Sequence, residues 1–373
     1  MHDRAPHARI VPRLARRSMA DVSLMTAIAL TEGNDPARSR LEAEIAAFER
    51  FAESSTIGRA RVERVERFGF VIHPPHANAA HEPRFDLLFI ALTHGNEYAG
   101  LPVLNALCRY VEAGVLAPSV SIGFLLGNVD AARRGTRFVE RDLNRTFGRA
   151  GRDTADDRRA REMEPVMRRA RFCVDLHQTI EPSEAPFFVF NYHPTSLQLA
   201  HAIAPDTPVV THWGRPFSTA SAGGCTSDEF IQQGDGVALS IELGQKGFGL
   251  YQIAAGVRVC LDAITTVSAV VHGASLPPVD ACVNPIYTWA HIVPYPDGEV
   301  RLDAGLRNFQ PIRAGDRLGT RDGAPLVAGT SGLLLFPKYR RSESEPKPAE
   351  LYRLLRQPAL SELGKGDCLM PQS

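Results

Sequence analysis

Apolar positions follow two rhythms along this 373-residue chain. Short, nearly unbroken apolar runs at 86–92, 120–127, 172–176, 187–190 and 237–243 read as strands covered on both faces. Helical spacing marks 39–52, with Ser39 as the N-cap, and then 97–113, 154–171 and 250–271. Thr154 followed by Asp157 offers an acidic capping pattern for the third of these. Strands separated by helices predict an α/β layer: a mixed, mostly parallel sheet flanked by helices. The texture changes near Pro277-Pro278. From there, short strands and turns such as Pro296-Asp297-Gly298 and Asp322-Gly323 predict a small C-terminal all-β domain over 276–340. The catalytic part is expected at 36–275. Residues 1–35 read as a disordered leader, and 341–373 as a flexible tail with a short helix at 351–356.

Candidate chemistry sits where strands end. Thr93-His94-Gly95-Asn96-Glu97 puts an imidazole and a carboxylate three residues apart, directly after a strand-like run. In an open α/β sheet that is the crevice where ligands bind. His94 is expected in the loop and Glu97 in the first helical turn, with Gly95 letting the backbone turn tightly. Asp175-Leu176-His177 follows another strand and brings His177 to the same edge. Two His and one Glu are the protein ligands of a catalytic zinc that keeps its fourth position open for water. Taken alone, H-x-x-E is better read as a surface His beside a helix-start Glu favoured by the macrodipole, and the segments that follow reverse that.

Two further segments bear on this. Asn144 and Arg145 offer amide and guanidinium donors suited to gripping a carboxylate. Arg137 could polarise a carbonyl and stabilise its oxyanion. Arg141, between Glu140 and Asp142, reads as an exposed salt-bridged loop residue. Glu242 is a carboxylate in an otherwise apolar strand, Ser240-Ile241-Glu242-Leu243-Gly244. Beside a zinc-activated water it would be the general base; otherwise it caps a helix or forms a salt bridge.

Composition narrows the class. The formal net charge is zero, which excludes a nucleic acid or an anionic membrane as a partner chosen by bulk charge. No apolar run reaches the ~18 residues a span needs, so no membrane association is expected. The six cysteines are scattered without a C-x-x-C pair, which suggests buried free thiols and a cytoplasmic protein. His193, His212 and Trp213 lie in loop-like stretches and read as packing or surface residues, with pocket lining as the alternative. Gly223-Gly224-Cys225-Thr226 reads as a mobile loop at the site.

Together the segments "THGNEYAG", "GNVDAARRGTRFVERDLNRTFG", "VDLHQT" and "LSIELGQKGFG" resemble the succinylglutamate desuccinylase/aspartoacylase family of zinc hydrolases. "NFQPIRAGDRLG…GLLLFPKY" resembles the C-terminal β domain of the desuccinylases, so the likeness covers about 85–340. The resemblance implies a zinc-carboxypeptidase-like fold and one Zn2+ per chain held by His94, Glu97 and His177. It implies Glu242 as general base, Arg137 as carbonyl polariser, and Asn144 with Arg145 as the clamp on the amino-acid carboxylate. The implied reaction is hydrolysis of a small N-acyl amino acid, by a protein that forms a homodimer. The alternatives are a carboxypeptidase acting on peptides and a catalytically inactive binding relative. One departure stands out. Family members that cleave acidic substrates tend to carry a further Arg shortly before the catalytic Glu, whereas 227–236 holds no cation. A second substrate carboxylate would need another partner, such as Arg215 or Lys246.

Overall fold

The structure is a computed structural model that describes residues 35–75, 84–151, 153–183, 185–214, 223–340 and 347–365. Arg215, Cys368 and residues 1–34 of the expected leader lie outside the described residues.

Helix α1 (Pro36–Glu53) begins ahead of Ser39, because the Asp35 carboxylate accepts from the Ala37 N–H and Pro36 suits the first helical position. After it come β1 (Thr56–Ile57), β2 (Ala60–Glu66) and β3 (Gly69–His73). The core then runs β4 (Phe85–Ala91), α2 (Gly100–Glu112), β5 (Ile122–Leu126), α3 (Val129–Arg134), α4 (Ala155–Arg169), β6 (Ala170–Thr179), β7 (Phe187–Asn191), α5 (Pro194–Ile203), β8 (Val209–His212), α6 (Ser227–Gln232), β9 (Val237–Gln245) and α7 (Leu250–Val271). The C-terminal part adds β10 (Ile286–Pro294), β11 (Val300–Leu302), β12 (Pro311–Ile312), β13 (Arg317–Arg321), β14 (Ala324–Val327), β15 (Gly332–Leu335) and β16 (Glu350–Arg356).

Among the described residues one 13-stranded sheet runs in the order β1-β2-β3-β5-β4-β6-β9-β7-β8-β10-β16-β15-β12. It is mixed, and less parallel than expected. Parallel pairing is confined to β5-β4-β6-β9 and to β7-β8-β10, with antiparallel strands on either side. Both margins of the sheet are two-residue strands. Alternation along the central strands divides their side chains between two cores. Leu87, Phe89, Val174, Leu176, Leu239 and Ile241 pack with α1, α2 and α7 on one face. Phe85, Ile90, Cys173 and Ala238 pack with Met163 and Met167 of α4 and Phe230 of α6 on the other.

The C-terminal strands have their own core, including Leu306, Leu318, Leu334 and Leu354. They are nevertheless joined to the main sheet, because Ile286 and Tyr287 of β10 pair in parallel with Val209 and Val210 of β8. The short helix expected at 351–356 is strand β16 instead. It lies between β10 and β15 and is buried along nearly its whole length, so tertiary pairing overrides a pattern that is ambiguous at this length. Helix α7 alters the membrane expectation in one respect. By length and composition it is apolar enough to cross a bilayer. Here its Gly256, Val259, Cys260, Ala263, Ile264 and Val267 are buried, while Arg258 and Asp262 pair on the exposed side.

Candidate metal centre

Register places the central groups. Leu176 of β6 pairs with Ala91 of β4 and with Ile241 of β9, so β4 ends at this level while β6 and β9 run on to Thr179 and Gln245. One step on, His177 pairs with Glu242. The two-residue side-chain repeat puts Asp175 and His177 on one face of β6, with Glu242 beside them on β9. His94 leaves the end of β4 in a turn. Glu97 also lies in that turn and not in the first turn of α2, which begins at Gly100. Gly95 is needed for a close approach: a Cβ there would meet the Ala132 backbone nitrogen at 2.4 Å.

The three expected ligands meet. His94, Glu97 and His177 are all buried, and their donor atoms lie within 4.8 Å of one another. His94 Nδ1 is 2.9 Å from Glu97 Oε1, and His177 Nδ1 is 3.0 Å from Glu97 Oε2. The two Nδ1 atoms face each other at 3.1 Å. Their far nitrogens turn towards carboxylates: His177 Nε2 is 2.9 Å from Asp175 Oδ2, and His94 Nε2 is 3.2 Å from Asp142 Oδ1. With Asp175 behind His177 and Asp142 behind His94, the two Nδ1 atoms that face Glu97 are the candidate metal donors. Thr93 Oγ1 donates to both Asp175 oxygens at 3.0 Å. Four carboxylates (Glu97, Asp142, Asp175 and Glu242) converge on this centre, a charge balance suited to a divalent cation. The donor set of two imidazoles and a carboxylate suits zinc.

Arg137 lies at the centre but is engaged there. Its Nε donates to Asp142 Oδ2 at 3.2 Å and its Nη1 to Glu97 Oε1 at 3.2 Å, while Nη2 is 2.7 Å from His94 Nε2. Its segment is held by Asp156, a residue not singled out in the sequence. This carboxylate is 1% exposed and accepts from the backbone N–H groups of Val139 (3.2 Å), Glu140 (2.7 Å) and Arg141 (2.8 Å), and from the Asn128 amide. The salt bridge expected for Arg141 does not form among the described residues. Asp142 is taken by Arg137 and His94, and Glu140 accepts from the Ala155 N–H. Asn144 Oδ1 accepts from the Ser227 N–H at 2.8 Å, so the group Asn144 can offer a ligand is its Nδ2 donor. Arg145 Nη1 donates to the Asn144 carbonyl at 2.5 Å.

Glu242 carries a buried carboxylate oxygen, Oε2, with no hydrogen-bond partner among the described residues. Burial, reinforced by the Glu97 charge, pushes this carboxyl above the usual range. Lys338, also not singled out, lies in the segment that follows β15. Its ammonium sits 5.3 Å from the Phe336 ring centre, Phe336 packs 6.0 Å from Phe187, and Phe187 pairs with Glu242 across the sheet. Burial, with help from Arg137 and Arg353, pulls Lys338 down to about 8.

His212 and Trp213 pack against other rings. His212 stacks on Trp289 at 4.9 Å, and Trp213 packs on Tyr192. Gly223–Thr226 is less free than a mobile loop: a Cβ on Gly224 would lie 2.1 Å from the Arg145 carbonyl oxygen, and Thr226 caps α6. Burial pushes the Cys225 thiol up to about 12, against a reactive role.

Asp228 yields a test of stability. It is 5% exposed and accepts from the Asn191 N–H and the Thr226 hydroxyl. Burial, then the Glu229 charge, pushes it to about 6 from 3.8. A raised folded-state value means the native protein holds a proton that the unfolded chain releases. Its share of stability is therefore present at low pH and is lost as pH rises from about 4 to about 6, amounting to about 3 kcal/mol. Asp228→Asn should flatten that part of the profile in urea unfolding between these limits. An unchanged difference between the two ends would contradict it.

Residues 83–264 match the model of the succinylglutamate desuccinylase/aspartoacylase catalytic domain. A succinylglutamate desuccinylase of Pseudomonas paraeruginosa (strain DSM 24068 / PA7) is 41% identical over 112 residues, which is 28% of this chain and 34% of that relative. The stretch matched thus spans about a third of that relative's length. A second, from Ectopseudomonas mendocina (strain ymp), is 28% identical over 303 residues, covering 74% of this chain and 85% of its own length. The crystal structure of the succinylglutamate desuccinylase from Chromobacterium violaceum superposes with a TM-score of 0.62 at 20% identity, covering 84% of this chain and 98% of that one. Over residues 83–264 the chain is placed with the succinylglutamate desuccinylase/aspartoacylase family.

Proposed function

We propose that this protein is a zinc-dependent deacylase that hydrolyses the amide bond of a small N-acyl amino acid. The observation that carries the reading is the meeting of His94, Glu97 and His177 beside the unpartnered Oε2 of Glu242. A zinc ion held by those three ligands would supply Lewis acidity and an acidified water. Glu242 Oε2 is the group that takes the water's proton and later returns it to the leaving amine. Asn144 Nδ2 and the Arg145 guanidinium hold the substrate carboxylate and orient the amide. Arg137 stabilises the developing oxyanion once a substrate carbonyl competes with Glu97 and Asp142 for its donors. We assign a second substrate carboxylate to Lys338, the role left open by the absence of a cation in 227–236. The names of the curated relatives are in keeping with such a substrate.

The reading is tested with purified protein by metal analysis and a panel of N-succinyl and N-acetyl amino acids set against peptides. The expected result is stoichiometric zinc and hydrolysis of an N-acyl amino acid. Preferential trimming of peptides would favour a carboxypeptidase, and a metal-replete protein inert towards every amide would leave a binding relative.

A further inference from the structure

Ser227 opens α6 and is 1% exposed. It touches groups that serve both halves of the site. Its hydroxyl donates to Asp175 Oδ2 at 2.6 Å, the same oxygen that lies 2.9 Å from His177 Nε2. Its backbone N–H donates to Asn144 Oδ1 at 2.8 Å. On the far side, the Asn144 N–H donates at 3.0 Å to Asp142 Oδ1, which faces His94 Nε2. The contacts run from His177 through Asp175, Ser227, Asn144 and Asp142 to His94, and the two imidazoles close the ring.

We infer that Ser227 is a positioning residue that holds the Asp175 carboxylate behind His177 with its hydroxyl and the Asn144 amide with its backbone N–H. The inference rests on the proposed metal and carboxylate sites. The two contacts do separate work. With the hydroxyl gone, Thr93 is the one hydroxyl donor left to Asp175 among the described residues, and the carboxylate is freer to turn away from His177 Nε2. A partner in this position typically changes metal affinity 10- to 100-fold. The N–H occupies the acceptor of the Asn144 amide, so the amide presents its NH2 to a ligand. At the first helical position that N–H has no intrahelical partner and is available for the task.

The experiment separates the two roles in full-length protein. Zinc affinity, read by chelator competition without substrate, should fall about 10-fold in Ser227→Ala and recover in Ser227→Thr. Because the effect passes through Asp175, Asp175→Asn combined with Ser227→Ala should bind zinc no more weakly than Asp175→Asn alone. Wild-type affinity in Ser227→Ala, or losses that multiply in the double variant, would overturn the hydroxyl's role. Ser227→Pro removes the N–H as well, at a position where proline suits a helix. With a substrate from the panel, it should raise KM about 10-fold beyond Ser227→Ala while zinc affinity matches Ser227→Ala. Equal KM values in the two variants would overturn the backbone's role. Wild-type protein that binds no zinc would instead sink the deacylase reading itself.

Discussion

Glu242→Gln is expected to lower kcat by about 10²- to 10⁴-fold while zinc content stays at the wild-type level. The amide keeps the size and shape of the carboxyl, so β9 and its pairing with His177 are undisturbed. What it loses is the ability to take a proton. The oxygen concerned is buried and has no other partner among the described residues, so no structural hydrogen bond is given up there. Initial rates on the best panel substrate, with metal analysis of the same sample, decide the matter. Near-normal turnover would remove Glu242 from the mechanism, and loss of zinc would move it among the ligands.

Asp156→Ala should be the most damaging change outside the centre. Three backbone N–H groups and the Asn128 amide lose their shared acceptor, a carboxylate that is itself 1% exposed. A buried donor left unmet costs about 1–3 kcal/mol, and these cannot all find substitutes, so a loss of at least about 3 kcal/mol is expected in urea unfolding. The same loop carries Arg137 and leads to Asn144, so KM should rise in whatever protein remains folded. A loss below about 1 kcal/mol would show that the loop is held by something else.

What could be read in advance follows from how local each cause is. The apolar runs around 86–92 and 237–243 are strands because they are buried on both faces, which their composition records directly. Thr154 and Asp157 form the expected capping box, an interaction contained within four residues. The meeting of His94, Glu97 and His177 was legible because the first two follow the end of β4 and the parallel register carries His177, within β6, to the same edge. By contrast, β2 carries Arg61, Glu63 and Arg64 on a half-exposed hairpin and offers no clean period. Strand β16 owes its form to partners that lie far from it in sequence. Asp156, Ser227 and Lys338 are ordinary polar residues on paper. Their roles arise only from contacts across the fold, which no short window of sequence contains.

The two-residue margins of the large sheet bear on self-association. A second copy adding itself edge to edge would find almost no row of open amides at either end, so propagation into ribbons is blunted. Contact between copies through either margin of this sheet would add little to the strand ladder of each.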